Sequence, residues 1–379
     1  MKTKNKKFSA IITIALAIIL ALGTLALTGC GGSGTDTAAP EEEGPEINPL
    51  TGIEAEGELP ARPVIVSIPN APDGAIPQSN ISYADMIYEF PVEGQLTRIQ
   101  AIYMTEFPDK VGPIRSVRYY FVDLCREYKA AHVGYGWGKK AHKYMDKCNI
   151  PHINGMQDTQ LFYRVEDKSA PNDAYINWED IQKRADSEGW FKEKQNIKPF
   201  KFRDEEWEAA KAEAQKVIDE KSESTDEADM KEVEKAKTLL AEPKKASSVK
   251  VSSTGCNSEC KYNEETGLYD RYWYGEPYVD KETGKQLSFS NVIVQYVTSD
   301  IMVDEDTGLQ DEKGRLEINM AEGGKAVLFT NGECIEGTWS REDLGSRTIY
   351  KDSNGRQFRL TPGKTWVYIV DQNLSCSYE

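Results

Sequence analysis

Residues 111–118 carry the side chains best suited to chemistry, because two arginines flank a serine there after a Gly-Pro turn. The apolar pattern that follows predicts an amphipathic helix with Ser116 as its N-cap. Free backbone N–H groups and the positive end of the helix dipole favour an anion at such a start. Arg115 and Arg118 are unfavourable there unless an acidic group lies between them. The segment therefore predicts a phosphate or carboxylate ligand, or an acid of the protein itself.

Other charged side chains complete either kind of site. Arg98 and Arg164 add more positive charge than a helix cap needs, which favours a bound anion. Three acids on and after a preceding predicted strand favour a salt-bridge network within the protein instead. Both interpretations stay open. The candidate ligand-binding residues are Arg98, Arg115, Ser116, Arg118, Arg164, Asp85, Glu89, Glu93 and His132.

The histidines and several aromatic residues are weaker candidates. His132, His142 and His152 are ten residues apart, so no two share a helical face. His132 is the strongest candidate of the three for a binding site because it borders a glycine-rich loop, although it also fits the end of a buried strand. Aromatic side chains nearby fit either a pocket or the core. They are Tyr135, Trp137, Phe162, Tyr163 and Trp178.

Known catalytic motifs are absent from the sequence, which has no HExxH, GxSxG, Walker or Rossmann pattern. Ser247-Ser248-Val249-Lys250 matches SxxK by letters, but it lies in a predicted strand and does not open a helix. Residues 304–308 are acidic but lack the spacing of an EF-hand, so we expect a hairpin turn. We therefore assign no catalytic residue and expect no metal or cofactor.

The first thirty residues have the pattern of a lipoprotein signal peptide. Four lysines precede an apolar run from Phe8 to Leu27. Leu27-Thr28-Gly29-Cys30 looks like the lipobox of bacterial signal peptidase II. We expect cleavage before Cys30, whose diacylglycerol and palmitate would hold the protein on the outer face of the cell membrane. The alternative is an uncleaved anchor, because about twenty apolar residues span a bilayer.

The charge of the chain limits its partners. The sequence has 46 basic and 62 acidic side chains, and its formal net charge is −16. Removal of residues 1–29 takes away four lysines and no acid, which leaves 42 basic side chains and a net charge of −20. This balance argues against nucleic acid and against broad adsorption to anionic lipids. A local basic pocket is therefore the feature to seek.

Six cysteines remain after Cys30, and an even number in an exported chain permits disulfides. The favoured pairs are Cys125 with Cys148 and Cys256 with Cys260. The alternative is that the cysteines are free, buried thiols.

The remaining pattern divides the chain into regions. Residues 30–47 are polar and predict a flexible tether. Residues 48–203 alternate strand and helix periods, which predicts an α/β domain with a mixed sheet, or else an α+β domain. Residues 204–246 are rich in Glu, Lys and Ala and predict a charged insertion of two helices. Residues 247–379 predict a smaller, mostly β domain with frequent turns.

Short motifs follow one another along the chain in a specific order and spacing. They are Asn48-Pro49-Leu50-Thr51-Gly52, Arg62-Pro63-Val64, Pro77-Gln78-Ser79, Ala84-Asp85 with Tyr88-Glu89, Val92-Glu93-Gly94 with Leu96-Thr97-Arg98, Gly112-Pro113-Ile114-Arg115-Ser116 with Arg118, Tyr269 to Asp280, Asn291-Val292-Ile293-Val294, and Gly337-Thr338-Trp339 to Gly363-Lys364-Thr365-Trp366. This set resembles the YerB-type lipoproteins of Gram-positive bacteria over most of residues 48–372, apart from the charged insertion. The resemblance implies two domains without an assigned reaction. Asn172 and Tyr278 stand where the family pattern predicts histidines, which favours binding over catalysis here.

Three functional hypotheses follow. The first is a non-catalytic envelope lipoprotein that binds an anionic envelope component through Arg98, Arg115, Ser116 and Arg118. The second is an enzyme that acts on a phosphorylated envelope lipid or glycan, with an acid as base or metal ligand. The third is a scaffold that docks a protein partner at the membrane.

Overall fold

A computed structural model describes residues 45–304 and 307–379. The predicted signal peptide, Cys30 and most of the predicted tether lie outside the described residues. Within the described ranges, no helix is both long and apolar enough to cross a membrane.

Five α-helices lie in the described part of the chain. The helix predicted from Ser116 begins three residues later, and Arg118 is its N-cap residue without a side-chain cap. The prediction for Ser116 was wrong because residues 115–117 stay extended beside the loop after a strand: Ser116 Oγ donates to Tyr135 O at 3.0 Å. The charged insertion forms two helices, as predicted. The helices are α1 (Tyr119–Tyr128), α2 (Lys139–Lys147), α3 (Trp178–Glu188), α4 (Glu205–Lys221) and α5 (Glu227–Leu240).

Nine strands lie between residues 64 and 202. They are β1 (Val64–Asn70), β2 (Met86–Pro91), β3 (Thr97–Tyr103), β4 (Lys110–Val111), β5 (Ala131–Gly134), β6 (His152–Asn154), β7 (Phe162–Arg164), β8 (Ala174–Asn177) and β9 (Lys201–Phe202).

The later strands are short, as the turn signals predict. They are β10 (Lys244–Lys245), β11 (Ser248–Ser253), β12 (Cys256–Asn263), β13 (Leu268–Trp273), β14 (Glu276–Pro277), β15 (Ser288–Phe289), β16 (Asn291–Tyr296), β17 (Ser299–Ile301), β18 (Leu316–Ile318), β19 (Gly324–Thr330), β20 (Glu333–Ser340), β21 (Ile349–Asp352), β22 (Arg359–Leu360), β23 (Thr365–Val370) and β24 (Ser375–Tyr378).

One mixed sheet joins strands from both halves of the chain. Its order is β10-β20-β19-β16-β23-β2-β3-β1-β5-β6, and β21 pairs with β20. β23 runs parallel to β2 on one side and to β16 on the other. β1, β5 and β6 are also parallel, whereas β3 is antiparallel to both of its neighbours. The predicted α/β class with a mixed sheet and a later, mostly β region is confirmed.

The sheet is covered on both faces. Every residue of β1, β2, β3 and β23 is buried, which is the pattern of strands between two layers. On one face, Trp366 and Tyr368 of β23 pack with residues of a second sheet, β14-β13-β12-β11-β24. On the other face, Val367 and Ile369 belong to a core that includes α1.

The predicted disulfides are not formed, since all six described cysteines are free thiols. Cys256 and Cys260 lie on one strand, β12, four residues apart. A strand rises about 3.3 Å per residue, so their Cα atoms are separated by about 13 Å, well beyond disulfide reach. Cys125 in α1 and Cys148 after α2 are likewise unpaired. The alternative of free, mostly buried thiols is the one observed.

Candidate functional site

Three arginines meet where β2 leads into β3 and the chain enters α1. We call Arg98, Arg115 and Arg118 the arginine cluster. Arg98 lies on β3 opposite Pro69 of β1. The segment that carries the other two passes between β1 and the loop after β5: Arg115 N donates to Ser67 O at 2.9 Å, and Arg115 O accepts from Tyr135 N at 3.0 Å. Strand pairing therefore fixes the backbone positions of the cluster.

Arg118 is paired with an acid of the protein. Its Nε donates to Glu93 Oε2 at 2.9 Å, and its Nη2 contacts Oε1 of the same carboxylate. This is the two-pronged geometry that guanidinium groups use for carboxylates and phosphates. Burial alone would raise the pKa of Glu93, but the hydrogen bonds and charge of Arg118, with the charge of Arg98, outweigh it and lower the pKa.

Arg98 has no such partner. The residue is 7 % exposed, and its Nη1 donates to Ser116 O at 2.7 Å. Its Nε is buried without a hydrogen bond, and no described carboxylate lies within 4.0 Å of its guanidinium group. Burial, reinforced by the charge of Arg118, lowers the pKa of Arg98 to about 9. A buried, unpaired cation of this kind is costly.

Arg115 is half-buried and also lacks an ion pair with any described residue. Its Nε is buried without a partner. Burial lowers the pKa of Arg115, and nearby Asp73 only partly opposes this effect. The arginine cluster therefore holds three guanidinium groups around one paired carboxylate, and its local charge is positive although the whole chain is acidic.

Asp85 lies at the other end of the β2–β3 hairpin, away from the arginine cluster. Its carboxylate accepts from Met104 N at 2.6 Å, Thr105 Oγ1 at 2.6 Å and Asn48 Nδ2 at 3.0 Å. Burial raises its pKa, and these hydrogen bonds partly oppose the rise. Asp85 thus ties the first described turn to the end of β3.

Glu89 points into the space between the two sheets and pairs with Arg271. The carboxylate accepts from Arg271 Nη2 at 3.0 Å, and the two side chains are 1 % and 0 % exposed. Asn70 Nδ2 and Thr97 Oγ1 donate to the same carboxylate at 2.8 and 2.7 Å. The guanidinium carbon lies 4.3–5.7 Å from four aromatic ring centres, those of Trp273, Tyr278, Trp366 and Tyr368.

Sequence reasoning missed Arg271 because nothing local marks it. It is 182 residues from Glu89 in the chain, and the contact depends on the packing of β13 against β2. The alternation of apolar and polar residues along β13 was the only signal that an inward-facing arginine was present.

Arg164 and His132 also lie outside the arginine cluster. Arg164 pairs with Asp173 and is 52 % exposed at its side chain. Its guanidinium carbon lies 5.6 Å from the ring centre of Tyr135. His132 is completely buried in β5, with Nε2 3.1 Å from Gln100 Oε1. Burial lowers its pKa to about 3, so it stays neutral.

The remaining candidate aromatic and histidine side chains pack against other rings: Tyr135 against Phe162, Tyr163 against Tyr175, and Trp178 against Tyr103 and Phe107. Trp137 stacks on His142 at 4.4 Å and meets His152 at 5.1 Å. A cleft of about 420 Å³ beside β6 is lined by His152 and Trp190, without an arginine. Within residues 45–304 and 307–379, no group of three His, Cys, Asp or Glu side chains is placed to hold a metal.

The two departures from the family pattern, Asn172 and Tyr278, bond to the chain at or just after the end of β1. Asn172 Nδ2 donates to Asp73 O and Oδ1, both at 3.1 Å. Tyr278 OH donates to Asn70 Oδ1 at 2.9 Å. Both side chains are buried and hydrogen-bonded, so they hold this end of β1 in place.

Comparison with known proteins identifies the family of the chain. The family model described as "Protein of unknown function (DUF3048) N-terminal domain" matches residues 50–191, and the C-terminal domain model matches residues 247–367. The chain belongs to the DUF3048 family. It is 31 % identical over 324 residues to "Putative lipoprotein YerB" of Bacillus subtilis (strain 168), which covers 85 % of each chain. The predicted resemblance is confirmed.

A solved structure of this family supports the fold. The crystal structure of YerB protein from Bacillus subtilis superposes with a TM-score of 0.69 at 28 % identity, covering 88 % of this chain and 99 % of that chain. In this DUF3048 protein, the two matched segments share the main sheet through β2 and β23. The arginine cluster lies within the first segment, whereas the Glu89–Arg271 pair links both.

Proposed function

We propose that this DUF3048 protein is a membrane-anchored, extracytoplasmic lipoprotein that binds an anionic component of the cell envelope at the arginine cluster. The lipobox-like sequence before Cys30 and the name of the Bacillus relative support the anchoring. An anchor on Cys30 would place the folded residues at the outer face of the cell membrane.

The observation that carries the proposal is the state of Arg98. Its buried Nε has no acceptor, and its nearest charged neighbours include two more arginines. Positive charge that is removed from water without a partner destabilises a fold, often by several kcal/mol. A bound anion would supply the missing negative charge and hydrogen-bond acceptors. A site that lacks only its counter-ion is the simplest account of such an arrangement.

The competing interpretation, a closed salt-bridge network, accounts for one arginine. Glu93 neutralises Arg118 through both of its oxygens. Asp85 and Glu89 make their hydrogen bonds elsewhere and leave Arg98 and Arg115 without a carboxylate. Glu93 and Asp73 act on Arg98 or Arg115 through their charge alone, so the described acids leave both arginines without an ion pair.

Thermal denaturation of the purified full chain tests the proposal. Methyl phosphate and acetate are the probes. A ligand that binds only the folded state must raise the midpoint, and at a concentration of about 100 times its dissociation constant it adds about 2.7 kcal/mol to the free energy of unfolding. We expect the rise with methyl phosphate to disappear in Arg98→Met and Arg115→Gln.

Arg203→Gln is the matched control. Arg203 pairs with Glu333 at 3.0 Å, is similarly half-buried, and lies away from the arginine cluster. It should keep the full response. An equal rise in all four proteins would reflect general anion exclusion from the surface, and would rule out the arginine cluster as a site.

A further inference from the structure

The best donor edge of the arginine cluster is already filled by the protein. Arg118 offers its Nε and Nη2 together, which is the edge that binds a phosphate or carboxylate most strongly. Both donors contact the carboxylate of Glu93. The charges of Arg98 and Arg118 both act on this carboxylate. The position of the Glu93 carboxylate is therefore the most favourable place for an anion in the cluster.

Arg118 is the side chain that holds the Glu93 carboxylate there. No other side chain among the described residues bonds to its carboxylate, which is 25 % exposed as a side chain. The turn that carries it, Glu93–Gln95, is fixed separately, since Ser253 Oγ donates to Gln95 O at 2.7 Å and Thr254 N donates to Gln95 Oε1 at 3.3 Å. Rotation of one side chain would thus free Arg118 while the backbone stays in place.

We infer that Glu93 is an internal occupant of the anion site and that a phosphate monoester binds by displacing its carboxylate from Arg118. The inference rests on the proposed anion-binding function and adds the ligand class and the way in which the site is kept closed. Glu93 would compete with the ligand for Arg118, so that only an anion with more charge and more acceptor oxygens than one carboxylate would bind.

The number of acceptor oxygens favours phosphate over another carboxylate. Both oxygens of Glu93 are used by Arg118, and Arg98 and Arg115 keep buried Nε groups without an acceptor. A carboxylate ligand would only repeat this arrangement. A phosphate monoester has three terminal oxygens and a charge of about −1.5 to −2. Two oxygens can take the Arg118 edge, and the third remains for a neighbouring arginine.

Calorimetric titration of the full chain with methyl phosphate tests the displacement. Glu93→Gln removes the competing charge and nearly keeps the shape. We expect it to bind methyl phosphate about tenfold more tightly than the wild type, the effect of removing one competing pair. Glu333→Gln, which breaks the comparable pair with Arg203, should leave the affinity unchanged. Glu93→Asp has a shorter side chain that cannot reach both donors, so it should also bind methyl phosphate more tightly. It replaces Glu93→Gln in the test if that variant does not fold.

The outcomes separate the inference from the proposed function. Wild-type binding with equal or weaker binding in both Glu93 variants would overturn displacement and leave anion binding intact. Acetate that binds as tightly as methyl phosphate would overturn the ligand class. Absence of binding in the wild type and in both Glu93 variants would refute the proposed function itself.

A phosphate monoester can belong to a soluble sugar or to a lipid. Vesicles of phosphatidylcholine with phosphatidic acid present the same group at a membrane surface. Displacement predicts that Glu93→Gln increases the affinity for both methyl phosphate and the vesicles. The protein should bind the vesicles more tightly if its ligand is a lipid, and methyl phosphate more tightly if its ligand is soluble. A response to vesicles that is indifferent to both Glu93→Gln and Arg98→Met would overturn the inference.

Discussion

Two of the arginine–glutamate sites in the protein, the Glu89–Arg271 pair and the arginine cluster, share chemistry but differ in their balance of charge. At Glu89 and Arg271, one carboxylate pairs with one guanidinium group between two sheets; aromatic rings surround the guanidinium group and further donors reach the carboxylate, although Arg271 Nε has no acceptor. At the arginine cluster, three guanidinium groups surround one carboxylate near the surface, and Arg98 and Arg115 have no ion pair among the described residues. A balanced pair explains itself as part of the core, whereas an unbalanced group points outward to something that completes it.

Glu89→Gln should produce the largest effect. It leaves Arg271 buried without a counter-charge, and breaking a buried pair costs about 3–5 kcal/mol. We expect the midpoint of urea denaturation to fall accordingly. Glu89→Leu combined with Arg271→Met should recover much of the loss, because neither charge then remains. A single variant as stable as the wild type would contradict a structural role for the pair.

Arg115→Gln should change the free energy of unfolding in the opposite direction and by a smaller amount. It removes one of three neighbouring positive charges, so we expect the anion-free protein to gain about 0.5 kcal/mol in urea denaturation. Arg203→Gln, which disrupts a balanced pair, is the control and should lose stability by a similar amount. A clear loss in Arg115→Gln would show that the arginine cluster is internally balanced after all.

The acid limb of the stability profile should show the smallest difference. Because the pKa of Glu93 is lowered in the folded state, its stabilising contribution is present above the unfolded value of about 4.3 and is lost as the pH falls through the lowered value. Partial exposure keeps the contribution to about 0.3 kcal/mol. The stability difference between wild type and Glu93→Gln should therefore shrink below about pH 4. A difference that is constant with pH would exclude ionisation of Glu93 as its source.

Local patterns predicted the elements better than their contacts. Period and composition indicated alternating strands and helices in residues 48–203, the helix α1 and the two helices of the insertion, because these depend on neighbouring residues. The start of α1 was misplaced, since Ser116 bonds to the backbone of Tyr135 rather than capping the helix. This hydrogen bond depends on a loop nineteen residues away, which patterns of neighbouring residues cannot predict.

The candidate site was predicted in part. The sequence brought together Arg98, Arg115, Arg118 and Glu93, which lie around one turn and one helix start. It could not separate Glu93 from Glu89, because the side of a strand that an acid faces follows from the register of β2 with β3 and β23. The cysteine pairs failed for a related reason: proximity in sequence brings side chains together in a turn but not along a strand.

The position of β23 has a consequence for how the protein is made. Synthesis proceeds from the N-terminus, so β2 and β16 are both complete before the strand that lies between them exists. Until residues 365–370 appear, each presents an open edge, and such edges readily pair with other chains. The sheet closes only when a late segment inserts at its middle, in parallel with both neighbours. The main sheet is therefore continuous only after β23 has been made, and a chain that ends before residue 365 would keep two unpaired strand edges.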